Sequence, residues 1–226
     1  MGGQAAADLV SPDKDPKQIV AEGYDRVAER YAELEAADSP WPRLRWLQEV
    51  LSRLPDTSDV LDIGCGNGIP ALQAIAERHR ATGVDISFRQ VELARRNVSG
   101  ARIIHGDVMS LELPAESFDA VVAFYVVEHL PRHEHSELFR RVWGWLRGGG
   151  YLLFTVETGD QPGVVDDWLG VPMFFSEFDA GRTLELVEDA GFEIVRHATE
   201  SQAEGESVVT YLWVLAQKPP ARASLT

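Results

Sequence analysis

The sequence predicts an α/β protein: a doubly wound, mostly parallel sheet with helices on both faces and an antiparallel hairpin at its C-terminal edge. Three observations predict it. From residue 58 onward short apolar runs alternate with amphipathic helical patterns, the sign of parallel strands buried on both faces. The first of these runs ends in "VLDIGCGNG", where Gly64, Gly66 and Gly68 make a strand-to-helix turn through which backbone can approach a ligand closely. The last two apolar runs, Phe192 to Ala198 and Val208 to Ala216, succeed each other with no helix between them, as antiparallel neighbours do.

Each element follows from local pattern. Residues 1 to about 15 are small, polar and Pro-containing, and are expected to be disordered. A helix then carries Ile19, Tyr24, Val27, Tyr31 and Leu34 on one face. Ser39-Pro40 reads as the N-cap and first residue of a second helix bearing Trp46, Leu47, Val50, Leu51 and Leu54, so that residues 16–55 form a helical cap. Within a core over 58–156, strands are expected near 59–63, 81–85, 101–105, 118–124 and 150–156, and helices near 69–79, 88–98 and 133–146. Ser87 and Gln90 form an S-x-x-Q capping box for the second of those helices. Residues 157–180 are too long for a simple turn and rich in aromatic and apolar side chains, so they are expected to form a loop-like lid over the strand ends. A helix near 180–190, stopped at Gly191, and the edge hairpin complete the fold at about residue 217.

Composition excludes several functions. A chain of 226 residues with 45% apolar and 25% charged side chains suits one soluble domain. The longest apolar run, Ala120 to Val127, is far too short to span a bilayer. The N-terminus shows neither a secretory signal nor a myristoylation motif, Ala6 standing where the latter needs Ser or Thr. A net charge of −15 without a basic face argues against nucleic acid as a partner. The single cysteine, Cys65, fits a reducing cytoplasm, and the excess of Arg and Ala fits a GC-rich bacterial genome. The three lysines, Lys14, Lys17 and Lys218, lie near the termini and offer no central Schiff-base or phosphate-loop lysine.

The strand ends carry the functional signal. The glycines run G-x-G-x-G, with Ile69 at the third glycine position of a dinucleotide-binding turn, so NAD is the second choice of ligand. "GVDIS" puts Asp85 where a carboxylate accepts hydrogen bonds from both hydroxyls of a ribose. "IIHGDV" puts Asp107 at the next strand tip, where it can take an adenine N–H while the amide of Val108 donates to a ring nitrogen. Carboxylates at successive tips describe a nucleoside pocket.

"VLDIGCGNG", "GVDIS", "HGDV" and "FDAVVAFYVVEHL", in this order and at these intervals, resemble the motifs of class I S-adenosylmethionine-dependent methyltransferases of the small-molecule type, over about residues 58–156. The resemblance implies a Rossmann-like sheet with S-adenosylmethionine as cofactor. It implies that Asp62, Gly64, Cys65, Gly66 and Gly68 hold the methionine part, Asp85, Ile86 and Gln90 the ribose, and Asp107 and Val108 the adenine, with Phe124 meeting the cofactor through its backbone. "YDRVAERY" is similar to the leading segment of small-molecule members, in which a tyrosine closes over the cofactor; Tyr24 and Tyr31 are the candidates. His129, just past the fourth strand, is the candidate base, paired with Tyr24 or Tyr31 as in phosphoethanolamine methyltransferases, the alternative being a helix-capping role. Glu128, His129, His133 and His135 cluster, but the E-x-x-E-H magnesium pattern of ubiquinone-pathway O-methyltransferases is broken by Tyr125, and no metal is expected. Trp168, Met173, Phe174 and Phe175 are the candidate acceptor-binding residues, while Glu157, Asp166 and Asp167 would suit a cationic amine. The expected activity is O- or N-methylation of a small, partly apolar or aromatic molecule. The alternatives are an NAD-type oxidoreductase or a cofactor-binding protein without turnover.

Overall fold

A computed structural model of the chain describes residues 14–37, 42–204 and 207–220. The expectation of disorder falls almost entirely on 1–13, and Ser39-Pro40 also lies outside the described residues. Helix α1 is Pro16–Ala37, opened by Asp15, whose Oδ1 accepts the Lys17 N–H at 3.0 Å, with Pro at the first helical position. Helix α2, Arg43–Leu51, turns Trp46, Leu47, Val50 and Leu51 inward. The core then runs β1 (Asp59–Ile63), α3 (Ala71–Ala76), β2 (Arg80–Asp85), α4 (Phe88–Asn97), β3 (Arg102–His105), β4 (Phe118–Phe124), a 3₁₀ turn at Val127–His129, α5 (Arg132–Trp145) and β5 (Leu146–Glu157).

One sheet takes the order β3-β2-β1-β4-β5-β9-β8, parallel from β3 through β5. Strand β9 (Ser207–Gln217) then adds antiparallel to β5, and β8 (Glu193–Glu204) antiparallel to β9. Helices α2, α3 and α4 cover one face around Trp46, Leu72 and Trp213; α5 and α6 (Ala180–Asp189) cover the other around Phe139, Phe154 and Val187. This is the mostly parallel, two-faced sheet with an antiparallel C-terminal edge that the alternating pattern predicts.

Residues 157–180 differ from expectation. Their centre is a hairpin, β6 (Val164–Trp168) with β7 (Val171–Phe175), joined through Leu169 and Gly170 at φ 54° and 78°. Two positive-φ residues give the turn whose twist matches a tight hairpin. The hairpin buries Met173 and Phe174 against Ile19 and Val20 of α1, forming a small third core above the strand tips.

Candidate active site

The strand order reverses between β1 and β4, and ligands of open α/β sheets settle outside the strand ends at such a point. A cavity lies there, open at its mouth and enclosing about 830 Å³ of space that includes solvent at the opening. Its floor is the tips of β1 to β4; its roof is one face of α1, with Lys17, Val20, Tyr24 and Tyr31 all lining it.

The glycine turn has two separate causes. Gly64, Gly66 and Gly68 have φ 64°, 53° and 84°, the left-handed region. A Cβ on Gly64 would collide with Val126, and one on Gly68 would stand 2.8 Å from Val98, so packing within the protein excludes side chains there. A Cβ on Gly66 would meet nothing nearer than the Oε1 of Gln90 at 4.0 Å. Of the three, only Gly64 and Gly66 line the cavity; Gly68 seats α3 and α4 on the sheet, and Asp62 is a buried strand residue outside the lining.

Asp85 ends β2 and ties the site together. Its carboxylate accepts the Gly66 N–H at 2.8 Å and the Ser87 N–H at 2.9 Å. Burial pushes its pKa up to about 6, against the pull of those two amides. Here the expected capping box is only half made. Ser87 Oγ accepts the Gln90 N–H at 3.1 Å, but the Ser87 N–H goes to the Asp85 carboxylate, a better acceptor than an amide oxygen. The Gln90 amide is left buried on the cavity wall, with no hydrogen-bond partner for Nε2 or Oε1 among the described residues. Such a group costs free energy until something fills the place opposite it.

At the neighbouring tip Asp107 accepts the Met109 N–H at 2.9 Å and pairs with the Lys17 ammonium at 2.9 Å. Lys17 also reaches Glu134 at 3.0 Å. Burial opposes its charge, but the hydrogen bonds it donates to the two carboxylates outweigh burial and raise its pKa. Lys17, close to the N-terminus in sequence, thus reaches the cavity, paired with two carboxylates. Its signal was present, since 17, 20, 24 and 31 share one face of a helix, but the partner carboxylates are distant in sequence. Val108, Ile86 and Phe124 line the same space, and so do Tyr125 and Arg43, which sequence reasoning passed over as site residues.

Past β4 the chain turns through Tyr125, held at φ 58°, into the 3₁₀ turn that carries His129. His129 Nδ1 lies 2.9 Å from the Phe174 carbonyl, which can only accept, so the proton is assigned to Nδ1. Nε2 then accepts the Tyr24 hydroxyl at 2.9 Å. Burial drives the His129 pKa down to about 4, so the ring is neutral at neutral pH. The structure thus pairs His129 with Tyr24; Tyr31 packs edge-on to Tyr24 at 5.6 Å. His135 is used differently, its Nε2 donating to the Leu130 carbonyl at 2.9 Å inside the core. Cys65 lines the cavity, yet burial and then the charges of Asp85 and Asp62 raise its pKa well above normal, the opposite of a reactive thiol.

The expected acceptor residues lie outside this lining. Trp168, Met173, Phe174 and Phe175 are absent from the cavity lining; Met173 is fully buried against α1, and the Trp168 ring packs at a tilt against Tyr24 and Tyr31, centroids 5.3 Å away from each. They hold the roof in place. Asp166 and Asp167 are exposed on β6, and the Oδ1 of Asp167 accepts the Gly170 N–H of the hairpin turn.

Comparison with known proteins shows what the chain around this cavity is similar to. Residues 61–154 match the family model described as a methyltransferase domain. A probable S-adenosylmethionine-dependent methyltransferase of Mycolicibacterium smegmatis is 34% identical over 136 residues, 60% of this chain, and the match spans about half (52%) of that relative's length. Residues 61–154 therefore match a methyltransferase domain, and the chain is similar to class I S-adenosylmethionine-dependent methyltransferases. A demethylmenaquinone methyltransferase of Listeria welshimeri is 24% identical over 215 residues, covering 79% of this chain and 89% of its own. Among solved structures, a Burkholderia thailandensis 1,6-didemethyltoxoflavin-N1-methyltransferase, with its didemethyltoxoflavin and S-adenosylhomocysteine bound, superposes with a TM-score of 0.70 over 93% of both chains at 20% identity. Among the described residues no helix is long and apolar enough to cross a membrane.

Proposed function

We propose that the chain transfers the methyl group of S-adenosylmethionine, by in-line displacement, to an oxygen or neutral nitrogen of a small, partly apolar or aromatic molecule. One observation carries the reading: Asp107, Asp85 and the Gly66 backbone stand at three adjacent strand tips around one cavity, with the unpartnered Gln90 amide on its wall. These groups fit the cofactor. Each Asp85 oxygen takes one backbone N–H and keeps capacity for a ribose hydroxyl, and Gln90 offers one donor and one acceptor beside it. Asp107 and the Val108 amide would take the adenine edge. When bound, the cofactor supplies a methyl carbon already activated by its sulfonium, which leaves positioning as the protein's main task, worth on the order of 7–11 kcal/mol.

Tyr24 and His129 limit the acceptor. With His129 neutral and its Nδ1 proton committed to Phe174, Nε2 holds the Tyr24 proton and turns the phenolic oxygen into an acceptor. A base that titrates near 4 is weak, so an acceptor hydroxyl must bring acidity of its own, as a phenol or enol does. The carboxylates among the lining residues, Asp85 and Asp107, both sit at the nucleoside end, and Asp166 and Asp167 are exposed elsewhere; this disfavours a cationic amine. The net charge of −15 favours a small molecule over nucleic acid.

Calorimetry with S-adenosylhomocysteine and NADH tests the cofactor half: the former is expected to bind, and binding of NADH alone would end the proposal. A screen of phenols, enols and heteroaromatic amines with methyl-labelled cofactor, read by product mass, tests the acceptor half. Labelled product from a protonated alkylamine in preference to every phenol would overturn it.

A further inference from the structure

The outer edge of the β6–β7 hairpin is also the edge that holds His129. Strand β7 pairs with β6 across a two-residue turn, with Trp168 facing Val171 and Val165 facing Phe174. The bonds of an antiparallel ladder alternate, and in a turn of this kind the closing pair makes the first of them. Pro172 and Phe174 therefore turn their backbone groups away from β6, and a proline there costs the ladder no donor. Ser176, just past the strand, continues the same edge.

All three positions meet another element. A Cβ placed on Gly23 of α1 would stand 3.1 Å from the Pro172 carbonyl oxygen and 2.8 Å from the Met173 Cε, so the helix rides on the strand. The Phe174 carbonyl accepts His129 Nδ1–H at 2.9 Å. Ser176 donates its N–H to the Glu128 carbonyl and its hydroxyl to the Leu130 carbonyl, both at 2.6 Å. Three bonds thus stitch the hairpin to the turn at 127–130, two of them to peptide carbonyls and one to the imidazole itself.

The bond to the ring decides where its proton sits. A neutral imidazole has one N–H to place, and a carbonyl facing Nδ1 is satisfied only if the proton is there. With the hairpin lifted, Nδ1 would face water, where a histidine side chain favours the tautomer with its proton on Nε2. Nε2 would then have no lone pair for the Tyr24 hydroxyl. We infer that docking of the β6–β7 hairpin selects the His129 tautomer and so readies the Tyr24–His129 pair to take a proton, a role that rests on the hydroxyl acceptor proposed above. Met173, fully buried against Ile19 and Val20, is then a positioning residue that acts through the neighbouring Phe174 carbonyl. In the docked state the acceptor proton passes to the Tyr24 oxygen as the Tyr24 proton passes to Nε2. The ring becomes an imidazolium with Nδ1–H still on Phe174, and the acceptor oxygen keeps the electron pair of its broken O–H bond for the new bond to carbon. A closed cover and a competent base are one event.

Nitrogen NMR of the intact chain, labelled at histidine, reads the tautomer at pH 7.5 with neither cofactor nor acceptor present; His129→Gln identifies the signal. Wild type is expected to carry its proton on Nδ1. Met173→Ala is expected to move both ring nitrogens toward shifts averaged over two tautomers and to lower kcat about 10-fold or more, with the cofactor KM within about twofold. Met173→Leu should recover both readouts. Tyr24→Phe should keep the proton on Nδ1, because the carbonyl and not the phenol makes the choice. Ser176→Ala removes one stitch and leaves the third core filled, so it should shift the ring signals in the same direction by less, and it serves where Met173→Ala fails to fold. A wild-type ring carrying its proton on Nε2 would overturn the inference. So would a changed tautomer in Tyr24→Phe, or wild-type ring signals in both Met173→Ala and Ser176→Ala. A product screen without methylated phenols or enols would instead bring down the acceptor reading, since the ring signals are read with no substrate present.

Discussion

Asp85 decides the pH response of the site. Its carboxyl is buried at the end of β2, and burial raises its pKa to about 6 despite two amide donors. Ribose hydroxyls donating to it would favour the ionised form, so binding should lower that pKa and release a proton. Affinity for S-adenosylhomocysteine is therefore expected to be flat above pH 7 and to fall as pH drops through about 6, approaching tenfold per unit below it. Asp85→Asn should lose that dependence and bind about 10- to 100-fold more weakly at pH 7.5. Calorimetry at pH 5.5, 6.5 and 7.5 checks both; a pH-independent wild type would mean that the carboxylate faces no ligand hydroxyl. Tyr24 makes a second prediction. Tyr24→Phe leaves the His129 Nε2 buried without its donor, so it should cost about 1–3 kcal/mol of stability in denaturant unfolding, in addition to any loss of turnover. Much of this site was legible because its signal is local: a strand ending in an acid, or a glycine turn, advertises itself within a few residues. Lys17 and Arg43 were not legible as site residues. Each owes its place to α1 or α2 folding across the strand tips, and nothing within ten residues of either names Asp107 or Tyr125.

At the scale of elements, the roof is the part that long-range packing builds. Helix α1 is tied to three strand-end loops at once: by Lys17 to Asp107, by Tyr24 to His129, and by Asp25, whose Oδ1 accepts the Ser87 hydroxyl at 2.6 Å and the Arg89 N–H at 2.9 Å. From above it is held by Met173, whose Cε would stand 2.8 Å from a Cβ placed on Gly23. Met173→Ala deletes a fully buried side chain from this small third core, which should cost about 2–5 kcal/mol locally. Because that core is separate from the two on the sheet faces, the loss should appear as faster amide exchange in α1 and β6–β7 while β1, β4 and β5 stay protected. Uniform acceleration across the sheet would show that roof and sheet open as one. The hairpin escaped sequence reading because its turn uses Leu169 at a positive φ and two of the five residues of β6 are adjacent aspartates, so alternation does not mark it. Likewise β8 continues to Glu204, well past the apolar run ending at Ala198; its polar second half is a strand only because β9 pairs with it.

Across the whole molecule, the buried titratable groups oppose one another, and their balance fixes how stability depends on pH. In the unfolded chain an imidazole takes up its proton near 6.5; in the fold His129 and His135 resist protonation until about 4, because burial disfavours the charged ring. Their stabilisation is complete above 6.5 and is lost as pH falls through 6.5 toward 4. Asp85 has the opposite sign: with its folded pKa raised to about 6 from 3.8, it favours the fold below 3.8 and loses that contribution as pH rises through 6. Two imidazoles outweigh one carboxyl, so the melting temperature should decline between pH 6.5 and 4.5, with a net slope of about 1.4 kcal/mol per pH unit once Asp85 has begun to offset one of them. His135 lies on the buried face of α5, bonded to the Leu130 carbonyl and away from the cavity lining, so His135→Gln should lower stability at pH 7 yet flatten the decline. A saturating amount of S-adenosylhomocysteine should raise the melting temperature less at pH 5 than at pH 7, because protonated Asp85 has lost its charge-assisted acceptor. Thermal scans of both proteins across that range, with and without the ligand, separate the core histidine from the site carboxylate; a melting temperature that rises on acidification would show that Asp85, and not the imidazoles, governs the fold.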